Sequence, residues 1–207
     1  MILRNLLVSV AFAVAAVPAA LADTKTEEYV RTNANDVLNA LNSPELDADG
    51  RRAAFQTYMD QFANIDAVSK FVIGKYAKRF EPEDLERYQD AFRTYALAVY
   101  EFYFNEFKGR EVSVTGSNDR TARDSIVDTK ITSENGREMD VRWRVLNRGD
   151  KYQVVDVALE DQGNLIWLAI EQRAQFLSIL DQSDGSADAL ITKIESMTSE
   201  LEDQRVE

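Results

Sequence analysis

Between Glu27 and Leu41 the apolar residues Val30, Ala34, Val37 and Leu41 recur at spacings of four, three and four, with Leu38 beside them. That spacing is one face of an amphipathic helix. Asn42-Ser43-Pro44 ends it, with Ser43 suited to an N-cap and Pro44 to the first position of the next helix. Ala54, Tyr58, Phe62 and Ile65 carry that next helical stripe. Ile65 to Gly74 predicts a short helix stopped by glycine, and Lys75 to Phe80 another short piece. Glu81-Pro82-Glu83-Asp84 is a strong start: proline in the first turn, acids at the positive end of the dipole. The helix that follows runs to about Phe107 along Leu85, Tyr88, Phe92, Tyr95, Val99 and Phe102. Six aromatics fall between Tyr95 and Phe107, so its second half is apolar on most sides. Such a helix is covered on several faces or lines something apolar.

After Gly109 the period changes to two. Val112 and Val114 alternate with polar neighbours, and Ile126 to Thr132 is β-branched and polar by turns. Met139, Val141, Trp143 and Val145 face one way, while Asp140, Arg142 and Arg144 face the other. Val155, Val157 and Leu159 share a face opposite Asp156. Turns are expected at Gly116 to Arg120, at Glu134-Asn135-Gly136 and at Asn147 to Asp150. Two helices close the chain: Leu165 to Leu180, and a last one carrying Leu190, Ile194, Met197 and Leu201. Helices, one run of strands, then helices predicts an α+β fold: a four-stranded antiparallel sheet packed against several helices on one face.

The first residues form a separate unit. Arg4 is the one charge before a run from Leu6 to Leu21 that is broken by Pro18. Ala20-Leu21-Ala22 then fits the small-x-small cleavage pattern of a secretory signal peptide. The run is shorter than the ~20 residues a spanning helix needs. We expect residues 1–22 to be a cleaved signal peptide and 23–207 one domain, with a helical part over about 23–108. A strand meander over about 110–160 and C-terminal helices over about 163–204 complete it. Cleavage leaves 185 residues of net charge −13.

Composition then excludes chemistry. There is no Cys, hence no disulfide, thiolate nucleophile or zinc thiolate site. There is no His, which removes Ser-His-Asp catalysis and the usual catalytic zinc sites. Asp47-Ala-Asp49-Gly50 lacks the further ligands of a calcium loop and reads as a helix start. The 36 acids against 24 Lys and Arg argue against nucleic acid as a partner. Asp156, the acid in an otherwise apolar strand, is expected to hold a turn or a neighbouring helix. Arg142, Arg144 and Arg148 form a basic spot, either a solvated sheet face or a contact for an acidic partner or lipid phosphate. The aromatic helix facing a sheet encloses either a filled core or an apolar cavity. The residues alone leave both open.

The order of the pieces carries a resemblance. The signal segment is followed by Ile65-Asp66, by Ser69 to Gly74 and by the Tyr88-x3-Phe92-x2-Tyr95 helix. Then come the strand meander, Val155-Asp156-Val157, Arg173-Ala-Gln-Phe176 and a turn containing Gly185. This resembles the toluene-tolerance family, the MlaC-type periplasmic phospholipid carriers of Gram-negative bacteria, over nearly the whole mature chain. The family's Gly-Val-Ser after the last strand is displaced here to Gly163-Asn164-Leu165, and Tyr152 stands where the family has Trp. The resemblance implies a non-enzymatic, periplasmic, monomeric carrier of phospholipid with no cofactor and no metal. Its partners would be an outer-membrane lipoprotein complex and an inner-membrane ABC transporter with a lipid-binding domain. A related branch is associated with hopanoids, and a periplasmic adaptor with a solid core remains the alternative. The cavity that the resemblance implies would be lined from the helices by Phe71, Val72, Phe92, Tyr95, Val99, Tyr100 and Tyr103. From the sheet it would be lined by Met139, Val141, Trp143, Val145, Val155 and Val157.

Overall fold

A computed structural model describes residues 24–106, 109–133, 136–149, 151–161 and 163–206. The expected signal segment, residues 1–22, lies outside them. Helix α1 (Thr24–Leu41) buries Val30, Ala34, Val37 and Leu38, the stripe the periodicity requires. Helix α2 (Ala48–Phe62) begins later than Ser43-Pro44 suggested. Asp47 is its N-cap, its carboxylate accepting from Gly50 N–H at 2.8 Å. Helix α3 (Ile65–Ile73) is capped by Asn64, which accepts from Ala67 N–H. It ends at Gly74, whose φ of 52° suits glycine alone, and a 3₁₀ turn follows over Gly74–Lys78. Helix α4 (Pro82–Glu106) is the long one. Tyr95, Ala96 and Leu97 are consecutive and all buried, so this helix is covered on several sides in its second half.

The sheet has five strands rather than four, ordered β1-β2-β3-β4-β5 and antiparallel throughout. They are β1 (Gly109–Thr121), β2 (Asp124–Ser133), β3 (Glu138–Arg148), β4 (Lys151–Asp161) and β5 (Asn164–Trp167). Two corrections follow. The expected turn at Gly116 to Arg120 is continuous strand, with a register shift between Val114 and Gly116; glycine marks the irregularity, not the reversal. And Leu165-Ile166-Trp167, taken as the start of a helix, pairs with β4 from Asp161↔Asn164 to Ala158↔Trp167. Gly163, at φ 84°, precedes the paired Asn164 and supplies the positive φ that the reversal requires. Helix α5 (Leu168–Gln182) therefore starts at the next residue, and α6 (Ala187–Val206) packs along α4.

On β3 alternate residues from Met139 to Val145 are buried and their neighbours face solvent or the rim. Trp143 sits under the helices with its ring 5.2 Å from Phe62, its indole N–H donating to Thr129 Oγ1 at 2.8 Å. The Thr129 hydroxyl in turn donates to the Val141 carbonyl at 3.0 Å, so the polar atoms enclosed there are satisfied. At the β1 edge the Asn35 amide pairs with both backbone groups of Val112, at 2.9 and 3.1 Å, and covers an otherwise open strand.

Candidate functional site

The site grows from an irregularity in β4. Val145 pairs with Val154 but Arg144 pairs with Asp156, so Val155 is the extra residue of a bulge. Alternation carried straight through would put Val155, Val157 and Leu159 on one face. The bulge instead buries Val154, Val157 and Leu159, and leaves Val155 half-buried. The bulge also frees the Val154 carbonyl, which accepts from Asn64 N–H at 2.9 Å. Ala63 forms a parallel bridge with Val154, and the Asn64 amide donates to Gln153 Oε1 at 2.9 Å. The α2–α3 link is thereby docked on one stretch of the β4 edge, while β5 takes Ala158 to Asp161.

Between these two lies a gap at Val155–Val157, closed by a side chain. Asp156 is buried, and its Oδ1 accepts from its own neighbour's amide, Val157 N–H, and from Ala169 N–H, each at 2.9 Å. Ala169 is in the first turn of α5, whose N-cap residue Trp167 has no side-chain acceptor. Asp156 supplies that acceptor from another element, where the dipole favours a carboxylate. It is the helix-holding role expected of it. Burial nevertheless pushes its carboxyl up from 3.8 to about 6, against the opposing pull of the two amides and Arg144.

Behind this seam is an apolar chamber between α3, α4, α5 and β4, with a free volume of about 20 Å³. Phe92, Val99, Tyr100 and Val155 of the predicted set line it. Ala63, Ile65, Val68, Ala96, Val154, Leu168, Ala169 and Gln172 line it as well and were missed. Small residues at Ala63, Ala96 and Ala169 were the available signal, since they let backbones approach around a gap. Tyr100 has its hydroxyl raised by burial and by Asp156 nearby. A second hollow of about 220 Å³ opens outside the chamber, sharing Val68 and Val155 as walls and adding Ala67, Phe71, Arg144, Leu146 and Asp156.

The other predicted residues are placed as follows. Phe71 is exposed at this outer hollow, with the Arg173 guanidinium 4.9 Å over its ring. Val72 is fully buried. Tyr95 packs on Phe176 and its hydroxyl accepts from Gln172 Nε2 at 3.0 Å. Met139, Val141, Trp143, Val145 and Val157 are buried on the inner sheet face, in packed core and not in the chamber wall. The Tyr103 side chain lies outside the described residues. Among the described residues no cluster of acids is arranged to hold a metal, and no helix is long and apolar enough to cross a membrane.

Comparison with known proteins gives three findings. The family model described as MlaC protein matches residues 31–196. Toluene tolerance protein Ttg2D of Pseudomonas putida is 24% identical over 175 residues, which is 83% of this chain and 72% of that protein. A phospholipid-binding protein of Ralstonia solanacearum, solved in complex with a phospholipid, superposes with a TM-score of 0.72 at 18% identity. The superposition covers 85% of this chain and 98% of that one, and at such identity it shows a shared fold.

Proposed function

The chain belongs to the MlaC family, and on that premise we propose that it is a periplasmic carrier that holds a phospholipid by its acyl chains in the seam between β4 and the helices. It would move the lipid between an outer-membrane lipoprotein complex and an inner-membrane ABC transporter with a lipid-binding domain. The observation that carries this reading is the apolar chamber walled by α3, α4, α5 and the β4 bulge, with an outer hollow, the mouth, against the same Val68 and Val155 walls that also carries Arg144 and Asp156. Two acyl chains of roughly 30 methylenes would cost about 24 kcal/mol if left in water, so both must be enclosed. A volume of about 20 Å³ holds about one water. Carriage therefore requires the seam to widen. The polar contacts that widening must stretch or break include Asn64 to the Val154 carbonyl and to Gln153, Ala169 to Asp156, Gln172 to Tyr95 and Arg173 to the Phe71 carbonyl.

The same small volume favours the second reading, an adaptor with a filled core. Mass spectrometry of the gently purified mature protein separates them. A carrier brings about one lipid per chain, and the headgroup and mass distinguish a phospholipid from a hopanoid. A preparation free of lipid that also takes none from vesicles would establish the adaptor.

A further inference from the structure

The outer face of β3 carries Arg142 and Arg144, and Arg148 ends the strand, but the three arginines differ in surroundings. Arg142 is held by Asp128, Nε to Oδ1 at 2.7 Å, on the open face. Arg148 is exposed at the turn. Arg144 is half-buried in the mouth, where Ala67, Val68 and Phe71 of α3 lie across from Leu146 and Val155. Its Nε and Nη2 donate to the two oxygens of Asp124 at 3.1 and 2.9 Å. This bidentate pair fixes the guanidinium plane. Nη1, on the opposite side of the fork, has no partner among the described residues. The nearby carboxylates are themselves engaged: Asp124 is shared with Arg120 at 3.3 Å, and Asp156 accepts two backbone amides. Local charge is thus close to balanced although the chain carries a net charge of −12, so the excess negative charge is not concentrated at the mouth.

Mouth and chamber adjoin across Val68 and Val155, so a lipid whose acyl chains widen the chamber and leave it on this side has its polar end at Arg144. We propose that Arg144 Nη1 binds a phosphate oxygen of the carried lipid and that this contact separates glycerophospholipids from uncharged diacyl lipids. Guanidinium suits the role because it stays charged in a half-buried site and presents fixed donors to phosphate. The inference rests on the carrier reading above.

The test offers the delipidated mature protein mixed vesicles of dioleoylphosphatidylglycerol and dioleoylglycerol, which share their chains and differ in the phosphate headgroup. Mass spectrometry then gives the ratio of the two lipids taken up. Arg144→Gln should lower the phospholipid preference roughly tenfold or more, the worth of one hydrogen bond to a charged group, while dioleoylglycerol uptake persists. Arg144→Lys should fall between, and covers the case in which the Gln variant folds poorly. Arg142→Gln, on the same strand but outside the mouth, should keep the wild-type ratio. An Arg144→Gln protein with the wild-type ratio, or a lipid-bound wild type with no preference, overturns the proposal. Excess inorganic phosphate should leave the wild-type ratio intact, and erasing it would show a free-anion site and overturn the lipid assignment. A wild type that takes up neither lipid refutes the carrier reading itself.

Discussion

Replacing Asp156 by Asn tests the seam most directly. The carboxyl rises from 3.8 to about 6 because burial penalises its charge more than two amides and Arg144 favour it. A folded-state value above the unfolded one means that the folded protein holds the proton more tightly. The stability this contributes is full below about pH 4 and is lost as pH rises through about 6. The span, 3.8 to about 6, corresponds to about 3 kcal/mol. In a chain of this size that is roughly 6–12 °C in Tm. Asparagine keeps the carbonyl that accepts Val157 and Ala169 N–H but cannot ionise. Urea or thermal melts of wild type and Asp156→Asn between about pH 4 and pH 7.5 should show the wild type losing about 3 kcal/mol relative to the variant as pH rises. Taking the difference cancels the other acids. Asp156→Ala should be destabilised at every pH by about 2–5 kcal/mol, since two amides lose their acceptor. A wild-type-minus-Asn difference that stays flat across the range would refute the reasoning, as would an Ala variant as stable as Asn.

Four further outcomes are expected, three from the structure and one from the N-terminal sequence. Val141→Asp places a carboxylate in packed core at 1% exposure, and the several kcal/mol this costs is comparable with whole-domain stability of about 5–15, so the protein should fail to accumulate. Val155→Asp, at the half-buried bulge between chamber and mouth, should instead give a folded protein depleted of lipid, checked by melting and lipid extraction of one sample. Gly74→Ala should lower Tm, because φ is 52° and the added Cβ would stand 2.7 Å from Arg173 Nη2; removing that side chain as well, in Gly74→Ala with Arg173→Ala, should restore only part of the loss, the backbone share remaining. N-terminal sequencing of the exported protein should begin at Asp23, and an intact Met1 in the membrane fraction would contradict the signal peptide.

Periodicity in one dimension determined most of the architecture. Val30, Ala34 and Val37 had to share a buried helix face, and Met139, Val141, Trp143 and Val145 a buried strand face, because side-chain direction follows backbone period. The absence of Cys and His bounded the chemistry in the same way, without coordinates. What alternation cannot register is a break in its own phase. One extra residue at Val155 turned the strand over, put Val154 into the core and released the carbonyl on which Asn64 docks. Nothing in Gln153-Val154-Val155-Asp156 distinguishes a bulge from regular strand, since four consecutive residues suit either phase. Leu165-Ile166-Trp167 was ambiguous for a related reason: a short apolar run fits a helix start or an edge strand, and the free edge of β4 decided. The chamber itself depends on how α3, α4 and α5 meet around that bulge, and the meeting of elements distant in the chain is settled by packing in three dimensions, where no local pattern reaches.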